Sequence, residues 1–197
     1  MPHLALNIDM HNVSTLVVGG GMVASRKVKT LLDSGAWVHV VTESLGRDLT
    51  DLWSSGIITA QIGSYDPTCL DGVFLVIAAT DNAAVNKVIA HDGRERGLLV
   101  TVADSPESGN CTFPALLRRG ELEISVSTGG QCPAFAALIR DHISAIISDD
   151  YGNALEQLAE EREKLLTEGN ESSYNAEIVR AHAQRLMAQL TNKKEAP

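Results

Sequence analysis

The residues best equipped to do chemistry open with a run of three glycines. Val17-Val18-Gly19-Gly20-Gly21-Met22-Val23-Ala24 fits G-x-G-x-x-A between a stretch that reads as a strand and one that reads as a helix. In that setting Gly19 permits a tight turn, Gly21 lets a pyrophosphate approach bare backbone, and the small Ala24 lets the helix pack closely on the strand. The helix N-terminus, begun by Met22 and Val23, then turns its free N–H groups toward the phosphates. A glycine triplet on its own also serves as a plain strand-to-helix turn. The strand-loop-helix order is what makes Gly19 to Ala24 a candidate dinucleotide cradle.

The ribose of a dinucleotide is read by an acidic side chain about 20 residues beyond such a loop. Glu43 is the acidic residue near that point, and its carboxylate would repel a 2′-phosphate, favouring NAD over NADP. Glu43 has a second reading as the cap of a helix that follows it, and Arg47 is placed to meet a phosphate instead.

Asp104 falls at the carboxyl end of the fifth expected strand, where open α/β sheets place their ligands, and a carboxylate there can take up a proton. Asp104-Ser105-Pro106 is also a ready turn starter. Thr80 and Asn82 follow the fourth strand and would border a nicotinamide ribose, whereas Asp81 reads better as a helix cap. Ser127, Thr128 and Gly129 offer hydroxyl and backbone donors to carboxylates, or are simple loop residues. The guanidinium groups of Arg118, Arg119 and Arg140 suit bidentate binding of carboxylates, although each alone is more often an ordinary solvated charge. His142, one turn from Leu138, reads as a packed core or interface histidine. Cys132 has no neighbour in sequence that would lower its pKa and reads as inert.

The elements that must position these groups follow an α/β rhythm. Strands are expected at Ser14-Val18, Trp37-Val41, Ile57-Ile62, Val73-Ala79 and Leu98-Ala103, alternating with helical stretches, which is the pattern of a parallel sheet covered by helices. Ala24, Val28, Leu31 and Leu32 recur at helical spacing before Gly35. Val85, Val88 and Ile89 do so on a stretch opened by Asp81 and ended by Gly97. After Pro114 comes a short apolar piece and an Arg119-Gly120 turn. Glu121 to Ser127 then alternates strictly, as a strand with one wet or interfacial face does. Gly129-Gly130 breaks the chain, Pro133 suits a first helical turn, and Phe135, Leu138, Ile139, Ile143, Ile146 and Ile147 form an apolar stripe. Two more helices are expected from Asn153 to Leu190, interrupted around Gly169-Asn170, with Lys193 to Pro197 as a frayed tail. The expected organisation is a Rossmann domain over 1–113, a dimerisation and substrate segment over 114–148, and a helical region over 149–197.

Composition narrows the function. The 197 residues are 44% hydrophobic and 21% charged, enough apolar content for a core. A formal net charge of −9 argues against a nucleic-acid partner, since such proteins concentrate Lys and Arg. The longest apolar run, Val73 to Ala79, is far short of the roughly 20 residues a membrane span needs. With no basic start followed by an apolar stretch at the N-terminus, a cytoplasmic location is the expectation. Cys69, Cys111 and Cys132 are odd in number and widely spaced, which suits reduced thiols. No two of the six histidines stand three or four apart, so no helical turn offers a histidine pair to a resident metal.

Taken in order, these segments resemble a known family. Gly19 to Lys27 is similar to the GGGxVAxRK opening of precorrin-2 dehydrogenases, the family that includes the N-terminal half of bacterial sirohaem synthase. Ala78-Ala79-Thr80-Asp81-Asn82 with Asn86 resembles its AATDD segment and following Val-Asn pair. Val102-Ala103-Asp104 resembles its strand-end aspartate, Cys111-Thr112-Phe113-Pro114 its Cys-Asp-Phe-x-x-Pro region, and Arg119-Gly120-Glu121-Leu122 and Ser127 to Pro133 its RGxL and S-T-x-G-x-S-P motifs. Cys132 replaces the usual Ser and Thr112 stands where the family often has Asp.

The resemblance implies a Rossmann domain, a segment that pairs strands between two subunits of a homodimer, and a helical region. It also implies NAD-dependent oxidation of precorrin-2 to sirohydrochlorin, with Asp104 as the base and the arginines and the Ser127 loop meeting substrate carboxylates. A bifunctional enzyme that also inserts ferrous iron, and a regulatory module that only senses NAD, are the competing expectations.

Overall fold

The computed structural model describes residues 3–168 and 176–195. The chain divides into two compact units, with the boundary between Phe113 and Pro114.

In the first unit, short β-branched runs build five parallel strands: β1 (Ser14–Val18), β2 (Trp37–Thr42), β3 (Thr59–Ile62), β4 (Leu75–Ala78) and β5 (Leu99–Val102), in the order β3-β2-β1-β4-β5. Strands β3, β4 and β5 are shorter than their apolar runs suggested. Helices α1 (Met22–Leu32), α2 (Arg47–Ser54) and α3 (Ala83–Glu95) make the crossovers. Successive strand residues point to opposite faces, so the sheet has two cores. Val17, Val40, Leu75 and Ile77 pack with Val28 and Leu31 of α1, while Leu16, Val18, Val76, Ala78 and Val100 pack with Ile89 and Ala90 of α3. Leu16, Val17, Val76 and Ile77 are wholly buried. Fully covered faces are why these strands read as continuous apolar runs.

This strand order reverses direction at β1: the chain moves outward through β2 and β3, then returns to the other side for β4 and β5. The carboxyl ends of β1 and β4 therefore splay their loops apart, which opens a crevice at that edge.

Two expectations about α3 change. Asp81 does not cap it. The cap is Asn82, whose Oδ1 accepts from the N–H groups of Ala84 and Val85 at 2.9 and 3.3 Å. Because the helix starts at Ala83, the capping position falls on the residue just before it. Val88 is half exposed, and Asn86 joins Ile89 and Ala90 on the buried face.

The second unit begins with a hairpin of β6 (Ala115–Arg119) and β7 (Leu122–Val126), Arg119 lying opposite Leu122 across a Gly120-Glu121 turn. Strand β7 alternates half-buried and exposed residues as its sequence implied, but its partner β6 was read only as an apolar piece. Helix α4 (Pro133–Ile146) turns Ala136 inward and leaves Phe135, Leu138 and Ile146 exposed, so its apolar stripe is only partly used within the unit. His142 is likewise exposed rather than packed in this unit's core. Helices α5 (Asp150–Glu168) and α6 (Ala176–Glu195) follow. Helix α6 takes in Lys193 and Lys194, which were expected in a frayed tail. The Gly169-Asn170 break and the last two residues lie outside the described part.

Candidate functional site

At the carboxyl edge of the sheet lies a groove of about 850 Å³ whose lining includes Gly19, Gly20, Gly21, Glu43, Thr80 and Asn82. The three glycines have different reasons to be glycine. Gly19 has φ +129°, and a Cβ on it would sit 2.2 Å from the Ala79 carbonyl oxygen. A Cβ on Gly20 would sit 1.9 Å from the Ser44 carbonyl oxygen and 2.6 Å from Thr42 Oγ1. Around Gly21 there is nothing within 4 Å. The protein thus needs the first two to bring β4 and the loop after β2 against the turn, and leaves the third bare toward open space.

Gly21 is also the cap position of α1, with no side chain bonded there. The first N–H groups of an 11-residue helix therefore lack a side-chain cap beside the bare glycine. That combination suits a pyrophosphate, which needs close backbone approach and N–H donors. Met22 and Val23 are exposed at the helix start. Ala24 is fully buried, so it acts through close helix–sheet packing and not by contact with a ligand.

Glu43 follows β2 and is exposed to the groove, where Ser64 Oγ donates to its Oε1 at 3.3 Å. It caps no helix. The N-cap of α2 is Gly46, without any side-chain cap bond. Arg47 lines a smaller adjoining cavity with Met22, Arg26 and Lys29, where Lys29 pairs with Asp48 at 2.9 Å. Tyr65, also on the groove, donates its hydroxyl to Asp92 Oδ2 at 3.1 Å. Burial and that hydrogen bond push its ionisation above the ordinary tyrosine range.

Thr80 and Asp104 are joined through a residue that sequence reasoning left without a role. Asn86, 1% exposed, donates from Nδ2 to the Thr80 carbonyl and to Asp104 Oδ1, both at 3.0 Å. Its Oδ1 accepts from Thr80 N–H at 3.1 Å and from Thr80 Oγ1 at 2.7 Å. The available signal was a polar residue on the otherwise apolar face of α3.

Two of the motif segments meet elsewhere in this unit. Lys27 Nζ stands 4.2 Å from the centre of the Phe113 ring. Burial lowers the pKa of Lys27, and burial raises that of Cys111.

In the second unit, Arg119 is committed to its own fold. Its Nε donates to the Ile147 carbonyl at 3.0 Å and its Nη2 to Ser144 Oγ at 2.8 Å, with Asp149 3.3 Å away. Arg118 pairs with Glu123 across the hairpin and Arg140 with its neighbour Asp141. Ser127 Oγ accepts from Gly129 N–H, and Thr128 Oγ1 from Cys132 N–H, so both hydroxyls keep their own proton to donate. Among the described residues, no group of three or more His, Cys, Asp or Glu could hold a metal ion. No described helix is long and apolar enough to cross a membrane.

Residues 6–115, more than half of the chain, match the family described as NAD(P)-binding. The chain belongs to this family. The groove of this NAD(P)-binding chain fits the cofactor by its own geometry: a bare Gly21, an uncapped helix start and an acidic residue after β2. NAD is the cofactor it takes. Residues 119–146 match a second family, the central part of sirohaem biosynthesis proteins.

Among curated relatives, the sirohaem synthase of Chromobacterium violaceum is 38% identical over 152 residues, 77% of this chain and 32% of that protein. The sirohaem synthase of Methylobacillus flagellatus is 39% identical over 165 residues, 83% of this chain and 35% of its own length. The chain thus spans about a third of the length of the curated relatives it matches. A solved structure of SirC, a precorrin-2 dehydrogenase, superposes with a TM-score of 0.72 at 26% identity, covering 94% of this chain and all of that one.

Proposed function

We propose that the chain oxidises precorrin-2 to sirohydrochlorin with NAD, in sirohaem biosynthesis. The observation that carries this reading is the meeting, at one sheet edge, of an open dinucleotide cradle after β1 and an exposed carboxylate, Asp104, just past β5. The solved precorrin-2 dehydrogenase that matches over its whole length supports the choice of substrate.

NAD, when bound, supplies the two-electron acceptor. Gly19, Gly20 and Gly21 with the first turn of α1 hold the pyrophosphate, Glu43 takes the adenosine ribose hydroxyls, and Thr80 and Asn82 border the nicotinamide ribose. The reduced macrocycle gives up two hydrogens, one as the hydride that NAD would accept and one as a proton, and Asp104 receives the proton. Ser127 and Thr128 donate their hydroxyl protons to substrate carboxylates, with Gly129 holding the Ser127 hydroxyl through its N–H, and Arg118 and Arg140 lie at the surface as additional partners. Arg119 is assigned to holding the end of α4, because its donors are already spent there.

The active form is a homodimer built through 114–148, supported by the two-stranded β6–β7 sheet and by the exposed Phe135, Leu138 and Ile146 of α4. The expected helical region over 149–197 is supported by α5 and α6 among the described residues. We place the reaction in the cytoplasm, a reading supported by the three free cysteines.

Anaerobic incubation with precorrin-2 and NAD tests the proposal, following NADH and the sirohydrochlorin spectrum. The expected result is stoichiometric NADH from the wild type and a rate at least about 100-fold lower for Asp104→Asn. A folded wild type that binds NAD and produces no NADH overturns it, and would leave a dinucleotide sensor. Ferrous ion added after the oxidation is a cargo test: insertion would add a second activity in which Asp104 takes the pyrrole protons.

A further inference from the structure

We infer that Asn86 is the positioning residue of the oxidation, fixing the orientation in which Asp104 accepts a proton; this rests on the catalytic reading of Asp104 given above. The argument starts from the number of hydrogen bonds a carboxamide can make. Asn86 is buried, and all four of its hydrogen-bonding positions are used: two donated from Nδ2 and two accepted at Oδ1.

The amide orientation is decided by its partners. On one side stand two acceptors, the Thr80 carbonyl and the Asp104 carboxylate. On the other stands the Thr80 N–H, which can only donate. A flipped amide would face oxygen with oxygen and N–H with N–H. Asn86 therefore offers Asp104 a donor and nothing else.

The hydrogen bond from Asn86 ties up one oxygen of the carboxylate. Asp104 Oδ1 is held by Asn86, and Oδ2 has no partner among the described residues. Oδ2 is therefore the atom assigned to receive the proton.

The same side chain grips both the N–H and the carbonyl of Thr80, a residue lining the cofactor groove. Through one buried carboxamide, the loop after β4 and the aspartate after β5 keep a fixed separation. A catalytic pair needs this constancy, because small misplacements of reacting groups cost large factors in rate.

The test uses the intact chain with precorrin-2 and NAD. Asn86→Asp keeps the volume and removes the amide donor, and Asn86→Ala removes the whole clasp. Each is expected to lower kcat at least about tenfold while KM for precorrin-2 and the Kd for NAD move less than about threefold. Combined with Asp104→Asn, neither is expected to reduce the residual rate further, because residues acting through one another are non-additive.

Losses that multiply in the double variants, or an effect confined to NAD affinity, overturn the positioning role and leave Asn86 a structural residue. If Asn86→Ala fails to fold by circular dichroism, the kcat of the volume-preserving Asn86→Asp decides alone. Wild-type turnover by Asp104→Asn would instead sink the catalytic reading of Asp104, a result distinct from multiplied losses.

Discussion

The backbone of Gly19 passes so close to Ala79 that any side chain there would meet a carbonyl oxygen: the nearest approach of a Cβ is 2.2 Å. Gly21, two residues on, has φ −83° and open space around it. The fold requires the first to be glycine, and the second is left bare toward the groove.

This separation is measurable. Gly19→Ala combines a backbone clash with a positive φ and should cost at least about 2 kcal/mol, seen as a lower urea midpoint or loss of soluble protein. Gly21→Ala should leave stability within about 1 kcal/mol of the wild type yet weaken NAD binding at least about tenfold in calorimetric titration. Equal damage to stability from both would refute the division of roles.

Glu43 is exposed on the groove and caps nothing, which leaves it available to the adenosine ribose. Glu43→Ala should weaken NAD about tenfold, the worth of a charge-assisted hydrogen bond, and should improve NADP relative to NAD by removing repulsion of a 2′-phosphate. Affinities for the two dinucleotides, measured side by side, check both parts.

Tyr65 predicts a feature at alkaline pH. Its folded-state pKa is raised by burial and by donation to Asp92, while the unfolded side chain keeps the ordinary value of 10.0. The stability it contributes is complete below that value and is lost as pH rises above it toward the folded pKa, since there the unfolded chain binds fewer protons than the folded one. The loss is at most about 1.4 kcal/mol per pH unit for one group. Urea melts between pH 9 and about pH 11 should show a shallower decline for Tyr65→Phe than for the wild type.

Arg119 and Arg118 are neighbours in sequence with different expected costs. Arg119→Ala strands the Ile147 carbonyl and Ser144 hydroxyl and should destabilise by about 1–3 kcal/mol. Arg118→Ala removes a well-exposed pair with Glu123 and should cost at most about 1 kcal/mol. Thermal melts of the two variants give the comparison, and a larger loss from Arg118→Ala would contradict it.

Much of the first unit was legible because its signals are local. Val17, Val40, Val76 and Val100 lie in strands covered on both faces, so composition alone marked them. The glycine turn carried its own steric meaning. Strand β6 was missed for the complementary reason: Ala115-Leu116-Leu117-Arg118-Arg119 has no β-branched residue and becomes a strand through pairing with β7. Asp81 was read as the cap in place of Asn82 because both are good capping residues, and only the start of α3 chooses between them.

From the chain of residues alone came the alternation of strand and helix, the bare turn at Gly19 to Gly21, the acid at Glu43 and the aspartate ending the fifth strand. These depend on sterics and periodicity within a few positions. Only the tertiary structure decided that Gly20 must be glycine because of Ser44, that Glu43 faces the groove instead of capping α2, that Arg119 is spent on the end of α4, and that Asn86 holds Asp104 eighteen residues away. Such partners meet because the sheet order sets β4 beside β5 and β2 beside β1. That order comes from burying two faces of one sheet at once, a balance over the whole unit that no short stretch of residues contains.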